Sequence, residues 1–502
     1  MTTKHFPPIS VLLLLVLLAA CRGGEPEPNL LPPPTPLQTS LPPAIVAPLE
    51  ETIAPLETAV ANATPTPFET PTLVPTLTPN LSDPQARPVD PANLPPTTQD
   101  LLFIADGALK RWGVVSRQVA TVVAGGTETA VTGPRAWGQP IPGDVTGYAV
   151  SQDGRRALVA RLMATTPVSD TTTAVTVTLR TYELSYLNLE TGGSRVLAPA
   201  VNDLSDLSFA LSPDGRYAAF GALSLGEVAA QPLTETPNGQ LYVADAESGA
   251  VPRLVGDCEG FCRDPLWHQD NIFFVFGDGR GLMLYNVTAT RPELLISGDD
   301  GSEFGRSFGP IAWARNGRWL LAWVSAGIEG SEEAVLDVPT GTIMPIPHTF
   351  QYADPLYAEL TWMQDDRLFM VRSEQGAALG ETWRVNQEAG QVERDEVVTL
   401  STEAIHPTAP VHWPNGRFGY GLLDPNGGPA TGLFQRVAFN EPPERVNSLP
   451  AATFAPEVVW TTSGSGAAIA QEGRLYYAPT GEGLYDLGTA VGPWAYQLTW
   501  LP

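Results

Sequence analysis

Short apolar runs broken by tight polar turns recur from about residue 100 to the C-terminus. The best-formed copy is Leu211-Ser212-Pro213-Asp214-Gly215-Arg216-Tyr217-Ala218-Ala219-Phe220. It reads as the end of one strand, a turn and a second strand. Aligned on the residue just before each turn, the copies fall at Val150, Leu211, Trp267, Trp313, Trp362, Trp413, Trp460 and Trp500. The steps between them are 61, 56, 46, 49, 51, 47 and 40 residues. A β-rich period of about 40–50 residues predicts the blades of a propeller.

Two turn signatures support this register. The first reads Gln152-Asp153-Gly154-Arg155, Asp214-Gly215-Arg216, Asn316-Gly317-Arg318 and Asn415-Gly416-Arg417, with weaker forms at Asp270-Asn271 and Asp365-Asp366-Arg367. Such turns need φ > 0, which Gly, Asn and Asp tolerate. The second is Asn188-Leu189-Glu190-Thr191-Gly192, Asp245-Ala246-Glu247-Ser248-Gly249 and Asp337-Val338-Pro339-Thr340-Gly341, placed where the two outer strands meet. The opening unit, by contrast, has three strands (Leu101–Ala105, Ala108–Val115, Ala120–Val123) and no repeat motif before them. Its missing strand is expected from Gln497-Leu498-Thr499-Trp500, which matches Glu359-Leu360-Thr361-Trp362. Pairing the two ends would remove both exposed edges. The expected fold is therefore all-β, a propeller of eight four-stranded blades closed by the C-terminal strand, with seven blades the alternative count.

Ahead of the repeats the pattern changes twice. Residues 1–20 read as a signal peptide, with Lys4 and His5 before an apolar run from Val11 to Ala20 that is too short to span a bilayer. Residues 21–99 read as a spacer rich in Pro and Thr, where proline removes amide donors and blocks helix and sheet alike. If fully extended it reaches on the order of 200 Å. Residues 100–502 are the propeller.

The tetrad Leu18-Ala19-Ala20-Cys21 resembles the lipobox of bacterial lipoproteins. The resemblance implies cleavage before Cys21, a lipid on its thiol, and a lipid-anchored place in the cell envelope, on the outer face of the cytoplasmic membrane or on an outer membrane. Arg22, rather than aspartate, follows the cysteine. The repeats resemble TolB-type or PD40 (WD40-like) propeller repeats over roughly residues 100–502. TolB itself carries an extra N-terminal α/β domain and no lipid; this chain has its spacer there.

Composition narrows the partners. Acidic residues outnumber basic ones 54 to 28, for a formal charge of −26. Phosphate contacts need a basic stripe and none is visible, so no nucleic-acid partner is expected. With Cys21 assigned to lipid, Cys258 and Cys262 remain. In an exported chain that spacing points to a disulfide. A metal pair lacks a histidine at ligand spacing, since His268 lies six residues on, and free thiols are the third possibility. No paired-histidine motif appears among His268, His348, His406 and His412, and no metal or cofactor is expected.

Chemistry-bearing strings are few. Gly305-Arg306-Ser307-Phe308-Gly309 has nucleophile-elbow spacing but no strand before it and helix after it. The inner-strand tryptophans suit packing between blades. Asp299-Asp300-Gly301-Ser302-Glu303 offers oxygen ligands but departs from EF-hand spacing. The last residue is expected to coincide with ring closure, so no following hydrolase domain is expected. The expected function is a non-catalytic binding scaffold for a protein, peptide or glycan. The alternative is a glycan-active hydrolase or lyase with carboxylates at the channel mouth. Binding is expected on the face of the long connections, 125–144, 163–178, 223–240, 255–266 and 297–309, near the first three repeats.

Overall fold

The computed structural model describes residues 86–502 apart from 96, 130–134, 136–137, 170–175, 227–237, 302–304, 326–329, 350–357, 404, 425–430 and 450–455. The signal peptide, Cys21 and the spacer up to residue 85 lie outside the described residues. Each aligned turn residue closes or directly follows the innermost strand of a separate antiparallel sheet. These inner strands are Val145–Val150, Phe209–Leu211, Arg263–Trp267, Ser307–Trp313, Ala358–Trp362, His406–His412, Glu457–Trp460 and Tyr496–Trp500. They open blades one to eight of a propeller, so the higher of the two blade counts holds.

The second strand of each blade is a near-continuous apolar run, such as Phe273–Asp278 or Leu368–Glu374, because both faces of the sheet are covered by neighbours. The buried side chains accordingly form eight clusters, each built from two adjacent blades. Leu158, Tyr182 and Leu184 of blade one pack on Phe220 of blade two. Phe369 of blade five packs on Tyr420 of blade six. Leu102 and Ile104 of blade eight pack on Val145 and Val159 of blade one.

The first turn signature is one hydrogen-bonding device. The side-chain oxygen of Asp153, Asp214, Asp270, Asn316 or Asn415 accepts from the amide two residues on, at 2.8 to 3.1 Å. The next residue is left-handed: Gly154, Gly215, Gly317 and Gly416, with Asn271 (φ 63°) and Asp366 (φ 61°) in the diverged copies. The turn arginine then joins the second signature of its own blade. Arg318 donates to both oxygens of Asp337, each at 2.7 Å.

Closure pairs Leu101 with Trp500, Leu102 with Thr499 and Ile104 with Tyr496. Neighbouring inner strands are also stitched together. The indole N–H of Trp362, Trp460 and Trp500 donates to a carbonyl of the preceding blade, at Ala312, Ala409 and Val459 respectively. Bulges with a left-handed residue occur at Asp264, Ala409 and Gln497. Each has its amide held from the blade before it: Asp264 by Ser208 Oγ, the residue preceding the inner strand, and Ala409 and Gln497 by Glu359 and Glu457 of the inner strands.

Two departures from the sequence reading follow from pairing. Residues 86–95 and 97–99, given to the spacer, belong to the ring's described body. Arg87–Pro88 adds a parallel strand to Tyr485–Asp486, and Gln99 bridges Leu501 and Thr462. Proline is tolerated there because the strand is an edge. Much of segment 163–178 is strand rather than connection, residues 170–175 lying outside the described set. It prolongs the second and third strands of blade one to Arg156–Ser169 and Thr176–Asn188, as its alternating Thr and Val residues favour.

Glu457 takes the amides of both Gln497 and Leu498, at 2.7 and 2.6 Å. Glu457→Ala leaves these amides of the closing strand without their acceptor and is expected to cost about 2–4 kcal/mol. Trp460→Phe, which removes one indole hydrogen bond, is expected to cost about 1 kcal/mol. Urea unfolding of the two variants should show this ranking.

Candidate functional site

The site lies on the face of the longer connections, where blade eight meets blade one. The connection after Val119–Val123 carries Gly125, Gly126, Arg135 and Asp144 before the inner strand of blade one begins. Asp144 is buried, with 1% of its side chain exposed, yet it is fully satisfied. It accepts from the amides of Gly126 (2.9 Å) and Ile141 (3.0 Å) and from Arg135 Nε (2.9 Å) and Nη2 (2.7 Å). Arg135 also donates to Asp106 Oδ1 (2.5 Å) and the Gly126 carbonyl (2.8 Å). The bonds to Asp144 hold the guanidinium's pKa above its ordinary range. Gly107, left-handed at φ 67°, makes room for this pair, since a Cβ there would fall inside the Asp144 carboxylate. Beside it, burial lowers the pKa of Lys110, whose Nζ donates to the Val491 carbonyl (2.5 Å).

This staple forms one wall of a cavity of about 290 Å³. Trp494 and Tyr496, from the segment leading into the closing strand, form another. Arg180 and Asp206 of blade one's outer edge form the rim as an ion pair. Burial pushes the Tyr496 phenol well above its usual range, so this wall stays neutral, and its hydroxyl donates to the Val145 carbonyl (3.3 Å). Thr146 and Asp206 also line a second cavity of about 290 Å³, together with Ser208, Asp264 and Gln497.

Two carboxylates of the inner strands are structural. Glu359 accepts from Thr408 Oγ1 and the Ala409 amide, both at 2.6 Å, and Glu457 holds the closing strand. Burial, with a smaller contribution from the Glu359 charge, pushes Glu333 up to about 7. Its Oε2 is buried without a hydrogen-bond partner among the described residues.

The residues singled out in the sequence scatter. Cys21 lies outside the described residues. Cys258 and Cys262 are bonded to each other, buried in the connection from blade two to blade three. Ser307 opens the inner strand of blade four, so no elbow forms around it. Ser302 and Glu303 of the acidic string are outside the described residues, while Asp300 pairs with Arg306 (3.0 Å). Among the described residues no group of three His, Cys, Asp or Glu side chains could hold a metal ion. His268 sits in a turn beside Asp270 (3.1 Å), and His412 accepts from the Gln364 amide (3.3 Å). Of the connections expected to bind, 125–144 lines the cavity. Segment 223–240 contributes Ser224–Leu225, paired to the outer strand of blade one, and residues 227–237 are outside the described set. Trp494 and the Arg180–Asp206 pair carried no motif. The available signals were the Gly-Gly at 125–126 and the Asp-Gly at 106–107.

No family model and no curated protein matches the chain. Among solved structures it is similar to dipeptidyl peptidase 4 of Porphyromonas gingivalis, at 12% identity and TM-score 0.47, over 79% of this chain and 62% of that one. It therefore spans less than two thirds of the peptidase. It is also similar to the periplasmic gluconolactonase of Pseudomonas aeruginosa, at 12% identity and TM-score 0.39, over 80% and 99% of the two chains. A third is the β-propeller domain of Cps50 (Swd1) from Myceliophteria thermophila, at 12% identity and TM-score 0.39, over 65% and 93%. Likeness at this level concerns the fold and carries no activity across.

Asp144→Ala strands a buried guanidinium and is expected to destabilise by about 3–5 kcal/mol in denaturant unfolding. Glu333 makes a pH-dependent contribution. Its folded pKa is raised from 4.5 to about 7, so the native state binds the extra proton and stability falls as pH rises through that window. Glu333→Gln should flatten this slope and add up to about 3 kcal/mol at pH 8. Melting curves from pH 4 to pH 8 test it.

Proposed function

We propose that the chain is a lipid-anchored binding module of the cell envelope, its propeller of the TolB/PD40 type held away from the membrane by the Pro/Thr-rich spacer. The cavity at the seam of blades eight and one receives the ligand. Cys21 as the lipid-bearing residue, and the envelope as the location, rest on the lipobox resemblance. Two or more acyl chains at about 0.8 kcal/mol per buried methylene would make such an anchor essentially permanent.

One observation carries the choice of binding over catalysis. The charged groups of the cavity are committed to one another, Arg135 to Asp144 and Asp106, and Arg180 to Asp206. A general acid and base would instead need carboxylates whose environments push their pKa values apart around a reacting atom. Glu359 and Glu457 of the inner strands are spent on backbone amides, and Glu333, raised by burial and by the charge of Glu359, is not among the residues lining the cavity. A rigid ring presenting a walled cavity on its long-connection face is what a recognition module requires.

The test is a screen of the full chain against immobilised peptides and oligosaccharides, repeated with the double variant Arg180→Ala/Asp206→Ala. Both side chains lie at the rim, so the ring should melt unchanged while binding of any hit falls at least tenfold. A hit whose affinity the double variant leaves intact would place the binding surface elsewhere. Labelling with radioactive palmitate tests the anchor: Cys21→Ser should abolish incorporation.

A further inference from the structure

We propose that a further cavity, on the short-turn side of blades one to four, binds a small amphipathic carboxylate, its aliphatic chain against an apolar wall and its head group on Arg315. This cavity shares no lining residue with the one at the seam of blades eight and one, so the inference is independent of that reading. It forms where four inner strands run into their first turns, and its volume of about 490 Å³ is that of a small-molecule site. The wall consists of strand ends: Phe209 and Leu211 of blade two, Leu266 and Trp267 of blade three, Ile311 and Trp313 of blade four. Ile311 is the residue that a bulge leaves unpaired between Pro310 and Ala312, and it is 43% exposed. A hydrocarbon chain laid there would take that apolar surface out of water.

The repeat supplies the charge. The second residue of each first turn lines the cavity: Gln152, Pro213, Gln269 and, in blade four, Arg315. Arg315 is the one charged residue of the lining, in a chain whose acidic residues outnumber its basic ones 54 to 28. Its backbone is anchored from both sides. Gln269 Nε2 donates to its carbonyl (2.9 Å), and Asp366 accepts from the following amide, that of Asn316 (3.1 Å). Its side chain is exposed and makes no ion pair among the described residues. The turn arginines Arg156, Arg216, Arg318 and Arg367, by contrast, each pair with an aspartate. A free guanidinium fork binds a carboxylate through two parallel hydrogen bonds. A lining with one positive group and no negative one selects a single negative charge on an otherwise apolar molecule.

The wall also departs from the pattern of the rest of the ring. Trp362, Trp413, Trp460 and Trp500 spend their indole N–H groups on a carbonyl of a neighbouring blade. Those of Trp267 and Trp313 are buried and reach no acceptor among the described residues. Buried donors are ordinarily paired. The two seams at this cavity therefore lack a bond that fastens inner strands elsewhere, which leaves the strand ends less tightly held where a chain would insert.

The experiment is calorimetric titration of the full chain with octanoate, decanoate and uncharged octanol, in parallel with N-acetyl-trileucine and phosphatidylglycerol vesicles. Saturable binding of both acids is expected, with decanoate at least fivefold tighter because two more methylenes are buried. Arg315→Ala should weaken both acids at least tenfold and octanol no more than twofold. Ile311→Ser should weaken all three at least fivefold. Both side chains are exposed, so the variants should melt as the parent chain does; Arg315→Gln stands in if Arg315→Ala does not fold. Failure of both acids to bind overturns the inference. So does acid binding that the Arg315 variants leave intact, or a loss that is equal for octanol. Binding of the tripeptide or the vesicles with neither free acid overturns it in favour of a peptide terminus or a lipid head group. Acid binding that is lost in Arg180→Ala/Asp206→Ala and kept in Arg315→Ala overturns it by placing the acid in the seam cavity.

Discussion

Everything in this molecule depends on neighbouring blades sharing their cores. A four-stranded sheet buries neither face alone, and here each of the eight apolar clusters takes its side chains from two adjacent sheets. An open row of blades would leave a bare face at each end. The circle must therefore close, and a single five-residue strand, Tyr496–Trp500, completes the sheet begun by Leu101–Ala105. The closing strand is held by more than its ladder. Glu457 takes two of its amides, Trp500 donates back to Val459, and Leu501 donates to Asp100. The cost of ordering a chain end is offset by completing the interfaces on both sides of that sheet.

Much of this was legible because the repeat constrains side chains of a recognisable kind. The turn aspartates, asparagines and glycines sit where a left-handed residue and a short acceptor are both required. The tryptophans sit where one inner strand meets the next, although Trp413 donates to Thr461 of the following blade and not to the preceding one. What could not be read is how strands are staggered across the ring. Glu359 and Glu457 on regular inner strands, and Ser208 just ahead of one, hold a bulged amide on the next, a relation across 40 to 56 residues with no local pattern. From the sequence Glu359 and Glu457 are simply carboxylates near a channel, the raw material of an enzymatic reading. Their use as backbone acceptors is a three-dimensional fact.

The cavity was illegible for a related reason. Its walls come from both ends of the chain: Gly107 and Asp144 follow the first strands, whereas Trp494 and Tyr496 precede the last one. Local signals existed for the first set, since glycines at 107, 125 and 126 announce close backbone approach. Nothing local announces Trp494, whose left-handed backbone is stabilised only by the surrounding fold. The cavity is lined from the long-connection side, at the seam of blades eight and one rather than among the first three repeats.

That placement links recognition to architecture. A cavity whose walls are contributed by residues 107–144 and 494–496 exists only when the ring is shut, and is lost if the closing strand detaches. A ligand bound there favours the closed state by RT ln(1 + [L]/Kd), about 2.7 kcal/mol at a hundredfold excess over Kd. The seam is also where the ring is joined by one strand's hydrogen bonds instead of by covalent connections within a blade, so its opening is the local fluctuation most exposed to such stabilisation. Occupancy and closure are two readings of one equilibrium, and each biases the other by the same free energy.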